Sequence, residues 1–306
     1  MKSKTRETLR GIWKGRTPYL AALRDVAIAI AAVAIIMSAL WGYTGQPFPK
    51  TAPMVVIESG SMMHDDSPYG KLGTIDPGDL VLVKRTGVRE DVATYAYESN
   101  AGGARQRYGT YGDVIIYRPY NAANRTPIIH RAVLWLDYDE DTGSYDLPEL
   151  GLYGQSGTVT IEGYGYNGAT VRLNLAALLS NPAARHDGFI TLGDNNNGAY
   201  DQGGSICTEP ILPEWIIGKS RGEIPWFGLI KLAIQGNNVY PQEGWSRVGR
   251  AYAPTDLWVC LGICIAAIVT VPIAVDVTTS IIEKRKAGKE KEENIEQATA
   301  VRDRNK

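Results

Sequence analysis

Two uninterrupted apolar runs stand near opposite ends of the chain. Residues 26–43 carry no charge over about 18 residues, which is long enough to cross most of a bilayer core as a helix. The second run, 257–275, lies between Asp256 and Asp276. The pattern predicts membrane helices at 26–43 and 256–276. A cleaved signal peptide is the alternative for the first run, but its apolar stretch would be shorter, about 7 to 15 residues.

The charges that flank the two runs predict their orientation. Basic residues precede the first run and follow the second: Lys2, Lys4, Arg6, Arg10, Lys14, Arg16 and Arg24, then Lys284, Arg285, Lys286, Lys289 and Lys291. Because cytoplasmic flanks are enriched in Lys and Arg, we expect the basic N-terminus 1–25 and the charged tail 277–306 in the cytoplasm. An outer domain, 44–235, and a linker, 236–255, would then lie on the outer face. The tail is expected to be a solvated helix or a disordered end.

Between the runs, short β-favouring segments alternate with clusters of Gly, Pro and Asn. These segments are 54–59, 79–85, 113–119, 128–136, 158–164 and 189–194. They predict a mainly β domain, built as an antiparallel sheet that is partly barrel-like. Weak helical periodicity at 171–179 predicts one short helix. Segments 89–112 and 137–187 are rich in Gly or acidic residues, and we interpret them as surface insertions rather than core.

Composition excludes several classes of protein. The chain has 32 Lys and Arg against 33 Asp and Glu, a net charge of -1, so a basic nucleic-acid-binding protein is not expected. Three Cys cannot build a disulfide framework, and the His and Cys residues lack the spacing of metal ligands. We therefore expect no metal, no cofactor and no nucleic-acid partner.

A Ser-Gly-Ser segment follows the first predicted strand. Ser61 could serve as a nucleophile and Ser59 as a hydrogen-bond donor to an oxyanion, although Ser-Gly-Ser is also a common turn. A serine nucleophile needs a base, and the histidines are His64, His130 and His186. His130 lies in a predicted strand, where a lone His is often a core residue. We expect His64 and His186 at the surface.

The segment 193–201, GDNNNGAYD, contributes two carboxylates. Asp194 and Asp201 are separated by Asn, Gly, Ala and Tyr residues. Taken alone, such a segment suits a cation-binding loop as well as a series of turns, since Asp and Asn serve both purposes.

In combination, these motifs resemble signal peptidase I of the archaeal and endoplasmic-reticulum type, a membrane serine peptidase that uses Ser and His. The motifs are SGSM at 59–62, PGDLVLVK at 77–84, GDVIIYRP at 112–119, IIHRA at 128–132 and GDNN at 193–196. Their order and spacing match the family over residues 20–235, and 216–232 is similar to the membrane-skimming segment that ends its catalytic domain. The resemblance implies an antiparallel β catalytic domain between two membrane helices, which removes signal peptides from exported preproteins.

The resemblance also assigns roles to individual residues. It makes Ser61 the nucleophile and His130 the general base, at the position where bacterial relatives have a lysine. Ser59 and the Ser61 N–H would form the oxyanion hole. We favour Asp201 as the carboxylate that orients His130, although it lies one residue farther from the GDNN motif than in the eukaryotic type. Asp194 would be a supporting acid.

Substrate and partners follow from the same resemblance. The preprotein segment would extend along an edge strand, with shallow pockets for small side chains one and three residues before the cleaved bond. The candidate substrate-binding residues are Val55, Val56, Ile57, Met62, Val114 and Ile116. Membrane lipid is a second expected partner, while the need for accessory subunits stays open. Trp226, Phe227, Leu229 and Ile230 suit a membrane-interface patch and a core segment equally well.

Three alternatives remain open at this point. Lys84 is the rival base, because bacterial relatives use Ser and Lys. The same site would also serve a specialised protease for pilin-like or surface-protein precursors. The third alternative is a non-enzymatic, membrane-anchored β domain that binds partners. The roughly 60 residues between His130 and GDNN imply an insertion that forms a partner surface or a cover.

Overall fold

A computed structural model describes residues 18–64, 70–102, 106–204, 206–235 and 253–304. The chain divides into two compact units, with the boundary between Ala253 and Pro254. The first unit contains a long helix and the β domain, and the second contains one long helix. The basic residues up to Arg16, the end of the charged tail and most of the predicted linker lie outside the described residues.

Helix α1, Pro18–Thr44, contains the first apolar run. Its segment Ala22–Thr44 has a mean hydropathy of 2.2 and is long and apolar enough to cross a membrane. The helix ends where Gly45, with a φ of 65°, donates its N–H to the Trp41 carbonyl. Two further bonds join this end to the β domain, from the Arg85 N–H to the Thr44 carbonyl and from the Gln46 amide to the Val83 carbonyl.

Ten strands build the β domain. They are β1 Met54–Val56, β2 Leu80–Lys84, β3 Val114–Tyr117, β4 Ile128–Asp139, β5 Ser144–Leu147, β6 Leu152–Gln155, β7 Thr158–Tyr164, β8 Ala169–Asn174, β9 Gly188–Leu192 and β10 Ile216–Ile224. Eight form one antiparallel sheet in the order β1-β2-β10-β3-β4-β5-β6, with β9 also paired to β4. Strands β7 and β8 form a separate hairpin. The prediction of a mainly β, antiparallel domain is confirmed.

The sheet is open. Strands β1 and β6 stand at its two ends, and among the described residues they do not pair with each other, so there is no closed barrel. Strands β3 and β9 are buried at every position, whereas β8 alternates, with Val171 and Leu173 buried and their neighbours exposed. The helix predicted at 171–179 is therefore wrong for its first four residues and correct for the rest. Residues 171–174 belong to a strand with one solvated face, and only helix α3, Leu175–Ser180, follows.

Two segments predicted to be surface insertions contribute to the core, and that interpretation is corrected. Residues 89–112 include the short helix α2, Tyr95–Ala101, whose Tyr95 and Ala96 are buried. Residues 137–187 include β5 to β8, and Tyr145 and Leu173 are fully buried there. All four side chains belong to one cluster with apolar residues of β4 and β9. The sequence pattern misled because Gly-rich turns and acidic residues surround strands whose inward positions are apolar.

Two helices follow the sheet. Helix α4, Gly228–Gln235, buries Leu229 and Leu232 and exposes Ile230 and Ile234, so this segment is part core and part apolar surface. Helix α5, Thr255–Arg304, is continuous from the second apolar run through the tail up to Arg304. Its segment Thr255–Gly288 has a hydropathy of 2.5, and it is also long and apolar enough to cross a membrane.

Candidate active site

Strand β4 places two adjacent side chains, His130 and Arg131, inside the domain. His130 lies opposite Ile115 of β3, and Arg131 lies between Val114 of β3 and Leu192 of β9. The two residues are 3% and 0% exposed. Because successive side chains of a strand point to opposite faces, each of the two meets a different set of partners.

The turn after β1 places Ser61 against His130. Ser61 Oγ lies 2.9 Å from His130 Nε2, and Ser59 Oγ lies 3.2 Å from Ser61 Oγ. The segment after β9 holds this turn in place. Asn195 donates its backbone N–H to the Ser61 carbonyl at 2.8 Å and its side-chain amide to the Gly60 carbonyl at 3.0 Å. Contacts with His130 on the hydroxyl and with Asn195 on the backbone therefore fix the position of Ser61.

Asp201 is the carboxylate that contacts His130. It begins a short 3-10 turn, Asp201–Gly203, and its two oxygens lie 2.8 and 2.7 Å from His130 Nδ1. Asp201 also accepts hydrogen bonds from the Tyr117 hydroxyl at 2.7 Å and the Thr191 hydroxyl at 2.6 Å. Burial and then the Asp201 charge raise the pKa of Tyr117 well above its usual value, so its hydroxyl stays a donor.

These contacts form a continuous chain from Ser61 through His130 to Asp201. The pairing with a carboxylate assigns the proton to His130 Nδ1, which leaves Nε2 as the acceptor that faces Ser61 Oγ. A neutral imidazole in this tautomer is able to remove the serine proton. The arrangement has the hydrogen-bonding order of an activated serine nucleophile.

Asp194 occupies a separate, charged environment. It forms a two-pronged ion pair with Arg131, whose Nε and Nη2 lie 2.8 and 2.6 Å from its oxygens. Burial alone would raise the pKa of Asp194, but the charge and hydrogen bonds of Arg131 lower it below its usual value. Arg131 in turn donates to the Gly112 carbonyl at 2.7 Å. This pair links β4, β9 and the segment before β3.

His64 was expected at the surface, and that prediction is wrong. Its side chain is 8% exposed and its Nε2 lies 3.4 Å from Asp194 Oδ2. Tyr166, in the turn between β7 and β8, stacks on the His64 ring at 3.9 Å with an interplanar angle of 10°. The segment 137–187 therefore reaches the candidate site, where Tyr166 covers a histidine that the sequence places in a polar loop.

Gly193 has no side chain, and this allows the Ser61 turn and the His130 ring to lie close together. A Cβ atom at this position would lie 2.6 Å from the Ser61 carbonyl oxygen and 2.8 Å from His130 Nε2. Both distances are shorter than any ordinary Cβ contact, so only Gly fits between the serine turn and the imidazole.

The donors needed for an oxyanion are also present. Within the described part of the chain, the Ser61 N–H makes no backbone hydrogen bond, and the Ser59 hydroxyl lies beside the Ser61 hydroxyl. A backbone N–H and a hydroxyl next to a nucleophile are the groups that stabilise a tetrahedral oxyanion.

The six predicted substrate-binding residues divide by burial. Val55 and Val56 are half-buried on β1, the end strand of the sheet. Ile57, Met62, Val114 and Ile116 are between 1% and 2% exposed. The first three of these form a cluster with Ile75 and Val81, so they lie beneath the surface that Val55 helps to cover.

The remaining candidate bases have partners other than Ser61. Lys84 ends β2, with its ammonium 5.6 Å from the centre of the Tyr43 ring near the end of α1. His186 is half-buried, 3.8 Å from a Glu209 oxygen. Among the described residues, no group of three or more His, Cys, Asp or Glu side chains is arranged to hold a metal ion.

Sequence reasoning missed three supporting residues: Tyr117, Thr191 and Arg131. A charged residue directly after His130 in an apolar strand was the available signal, because a buried Arg requires a carboxylate partner. Tyr117 and Thr191 gave no comparable signal, since both residue types are common in strands.

No protein-family model and no curated protein matches the chain.

Proposed function

We propose that this protein is a membrane-bound serine endopeptidase that removes signal peptides from exported preproteins, with Ser61 as nucleophile, His130 as general base and Asp201 as its orienting carboxylate. The observation that carries the proposal is the unbroken chain of hydrogen bonds from Ser61 Oγ through the imidazole to Asp201. A structural serine in a turn has no need of a buried histidine and carboxylate aligned behind it. The motif resemblance to signal peptidase I points to the same residues.

The proposed hydrolysis uses the Ser61 hydroxyl proton and the acceptor nitrogen of His130. Ser61 Oγ attacks the scissile carbonyl carbon while His130 Nε2 takes the hydroxyl proton. The Ser61 N–H and the Ser59 hydroxyl would donate to the oxyanion. As the C–N bond breaks, His130 returns the proton to the leaving amine, which leaves an ester on Ser61. Water then attacks this ester and gives a proton to His130. As the ester C–O bond breaks, His130 passes that proton to Ser61 Oγ, which releases the acid and restores the serine.

The end strand β1 offers a place for an extended substrate. The Ile57 N–H donates to the Asp79 carbonyl and the Pro53 carbonyl accepts from Val83, so alternate residues of β1 face β2. The backbone groups of Met54, Val56 and Glu58 therefore point away from β2. A peptide added along this edge would run directly towards Ser61.

The apolar helices support a membrane-associated substrate. Helix α1 ends ten residues before β1, and its last residue is hydrogen-bonded to Arg85, directly after β2, so the β domain is joined closely to a candidate membrane span. The exposed Ile230 and Ile234 of α4 suit contact with lipid. By the positive-inside rule, both termini are assigned to the cytoplasm and the β domain to the outer face, where exported chains emerge.

The test is cleavage of a preprotein with Ala at the first and third positions before the cut, using the full-length protein in detergent or lipid. We expect Ser61→Ala to abolish cleavage, with a loss of at least roughly 10³-fold, because among the described residues no other hydroxyl lies within hydrogen-bond distance of His130. Ser59→Ala should retain weak activity, since it removes one oxyanion donor and leaves the nucleophile. A folded Ser61→Ala variant with full activity would refute the proposal.

The identity of the base is tested with His130→Ala and Lys84→Ala. The first should be inactive, while the second should cleave normally because its ammonium lies over the Tyr43 ring. An inactive Lys84→Ala beside an active His130→Ala would reverse the assignment. A panel of unrelated preproteins then separates a general signal peptidase, which cleaves most of them, from a specialised protease for a few precursors.

A further inference from the structure

Two consecutive residues after β9 hold the turn that carries Ser61. Asn195 donates its backbone N–H to the Ser61 carbonyl at 2.8 Å and its side-chain amide to the Gly60 carbonyl at 3.0 Å. Asp194 lies at the other end of the turn, where its Oδ2 is 3.4 Å from His64 Nε2. Because the Asp194 carboxylate is fully buried and held in an ion pair, it gives this end of the turn a fixed point of attachment.

The His64 ring is confined by two further segments. Tyr166, in the turn between β7 and β8, stacks on it with the ring centres 3.9 Å apart and an interplanar angle of 10°. A Cβ atom at Gly109 would lie 2.6 Å from His64 Cε1, so the backbone at Gly109 also lies directly against the imidazole. With 8% of its surface exposed, His64 has little freedom to move. The stack with Tyr166 is the contact through which the β7–β8 hairpin reaches the turn.

The β7–β8 hairpin is anchored in the domain and also contacts the segment that carries the acid. Tyr164 of β7 and Leu173 of β8 are buried in a cluster with apolar residues of β4 and β9. The Asn174 N–H, at the end of β8, donates to the Tyr200 hydroxyl at 3.1 Å, and Tyr200 directly precedes Asp201. One anchored element thus contacts both the turn with the nucleophile and the segment with the carboxylate.

We propose that His64 is a positioning residue for Ser61 and that Tyr166 holds its ring in place. The β7–β8 hairpin thereby keeps the nucleophile aligned with its base, an inference that rests on the proposed peptidase function. Among the described residues, the partners of Ser61 Oγ are His130 and Ser59, so the two rings act through the backbone of the turn. A shift of about 1 Å in a reacting group lowers the rate by roughly 100-fold. Loss of the attachment at His64 would allow such a shift in a hydroxyl that has to stay 2.9 Å from its base.

The experiment measures kcat and KM for cleavage of one preprotein by the full-length protein in detergent. Tyr166→Ala removes the stack and should lower kcat by about tenfold, while KM changes by less than about twofold, because the change acts on the nucleophile rather than on substrate binding. His64→Ala removes the contacts with both Tyr166 and Asp194 and should lower kcat by roughly 10- to 100-fold. The double variant should lose no more than His64→Ala alone, since Tyr166 acts through His64.

Two further variants and a stability measurement separate positioning from folding. Tyr166→Phe keeps the stacked ring and should retain most of the wild-type kcat. Tyr153→Ala removes an exposed ring from β6, in the same segment 137–187, and should change nothing. Near-UV circular dichroism and the thermal midpoint identify a temperature at which each variant is folded. A residue that only stabilises the fold would leave kcat unchanged at that temperature.

The outcomes distinguish this inference from the proposed function. If the wild type cleaves and folded Tyr166→Ala and His64→Ala keep its kcat, the inference fails alone. It also fails if the losses of the two single variants multiply in the double variant, because the two rings would then act independently. Should His64→Ala not fold, the comparison of Tyr166→Ala with Tyr166→Phe decides, since Tyr166 is only half-buried. If the wild type cleaves no preprotein, the proposed function fails and the inference fails with it.

Discussion

Two neighbouring residues of β4 each hold one carboxylate of the segment 193–201, and the two pairs differ in chemistry. His130 meets Asp201, and Arg131 meets Asp194. The imidazole has one ring nitrogen that can accept a proton from a hydroxyl, whereas the guanidinium has only donors. The first pair also reaches a hydroxyl, Ser61, while the second binds backbone carbonyls.

Strand β4 gives its two adjacent residues, His130 and Arg131, different surroundings. Strand alternation directs the two side chains to opposite faces, so the ion pair fixes the segment that carries both acids without touching the serine. Asp194 anchors the start of that segment and leaves Asp201 at its end free to bind His130. Two similar acids therefore have different partners and different charged surroundings, which their neighbours alone determine.

Asp201→Asn is expected to have the largest effect on the His130–Asp201 pair. The amide would favour the wrong histidine tautomer, and we expect kcat for preprotein cleavage to fall by roughly 10⁴-fold. The thermal midpoint should change much less, since the side chain keeps its shape and its contact with Tyr117. Equal losses of kcat in Asp201→Asn and Asp194→Asn, with both variants folded, would show that the two acids are not functionally distinct.

The supporting pair is tested by stability. Arg131→Met leaves Asp194 charged and buried without its main partner, and we expect a loss of about 3–5 kcal/mol in the free energy of unfolding. The double variant Arg131→Met with Asp194→Leu should recover much of this loss. Denaturant unfolding in detergent measures both. If the double variant recovers none of the lost stability, the unpaired charge of Asp194 is not the cause of the loss in Arg131→Met.

The same pair predicts a pH dependence. The pKa of Asp194 is lowered from its ordinary value of 3.8, so the unfolded chain binds more protons than the folded one in acid. The stability that Asp194 contributes is therefore present above pH 3.8 and is lost as the pH falls through the lower folded value. The double variant lacks this group and should lose less stability than the wild type between pH 5 and pH 2.

The smallest expected effect concerns the residues behind Asp201. Tyr117→Phe removes one hydrogen bond to a charged acceptor, which is worth about 1.5–3 kcal/mol, and leaves Thr191 and His130 in contact with the carboxylate. We expect a loss of roughly tenfold in kcat, far below that of Asp201→Asn. Tyr95→Phe, which removes a hydroxyl bound to the Gly163 carbonyl, is the matched control and should leave kcat nearly unchanged.

Much of the fold follows from sequence pattern. β-branched runs predicted β1 to β4, β7 and β9 to within a few residues, and the two apolar runs predicted both long helices. Strands β5, β6, β8 and β10 were missed. Strand β10 contains Gly, Lys, Ser, Arg and Glu, so its β structure depends on pairing with β2 and β3 rather than on its own residues.

The candidate site was predicted in part because its residues lie in short motifs, and the rest depended on distant contacts. The motifs singled out Ser61, His130 and Asp201, which the structure brings together. They gave no sign that Tyr166 would reach His64 or that the Tyr108 hydroxyl would bond to Ser220. Such contacts join segments far apart in sequence, and neither period nor composition encodes which loop meets which strand.

Helix α5 is much longer than a bilayer is thick. Its 50 residues extend for roughly 75 Å at 1.5 Å per residue, while the hydrocarbon layer of a bilayer is about 30 Å thick. If α5 crosses a bilayer, more than half of its length lies outside the lipid tails. A partner bound at the far end of α5 would then be held at a fixed distance from the bilayer surface.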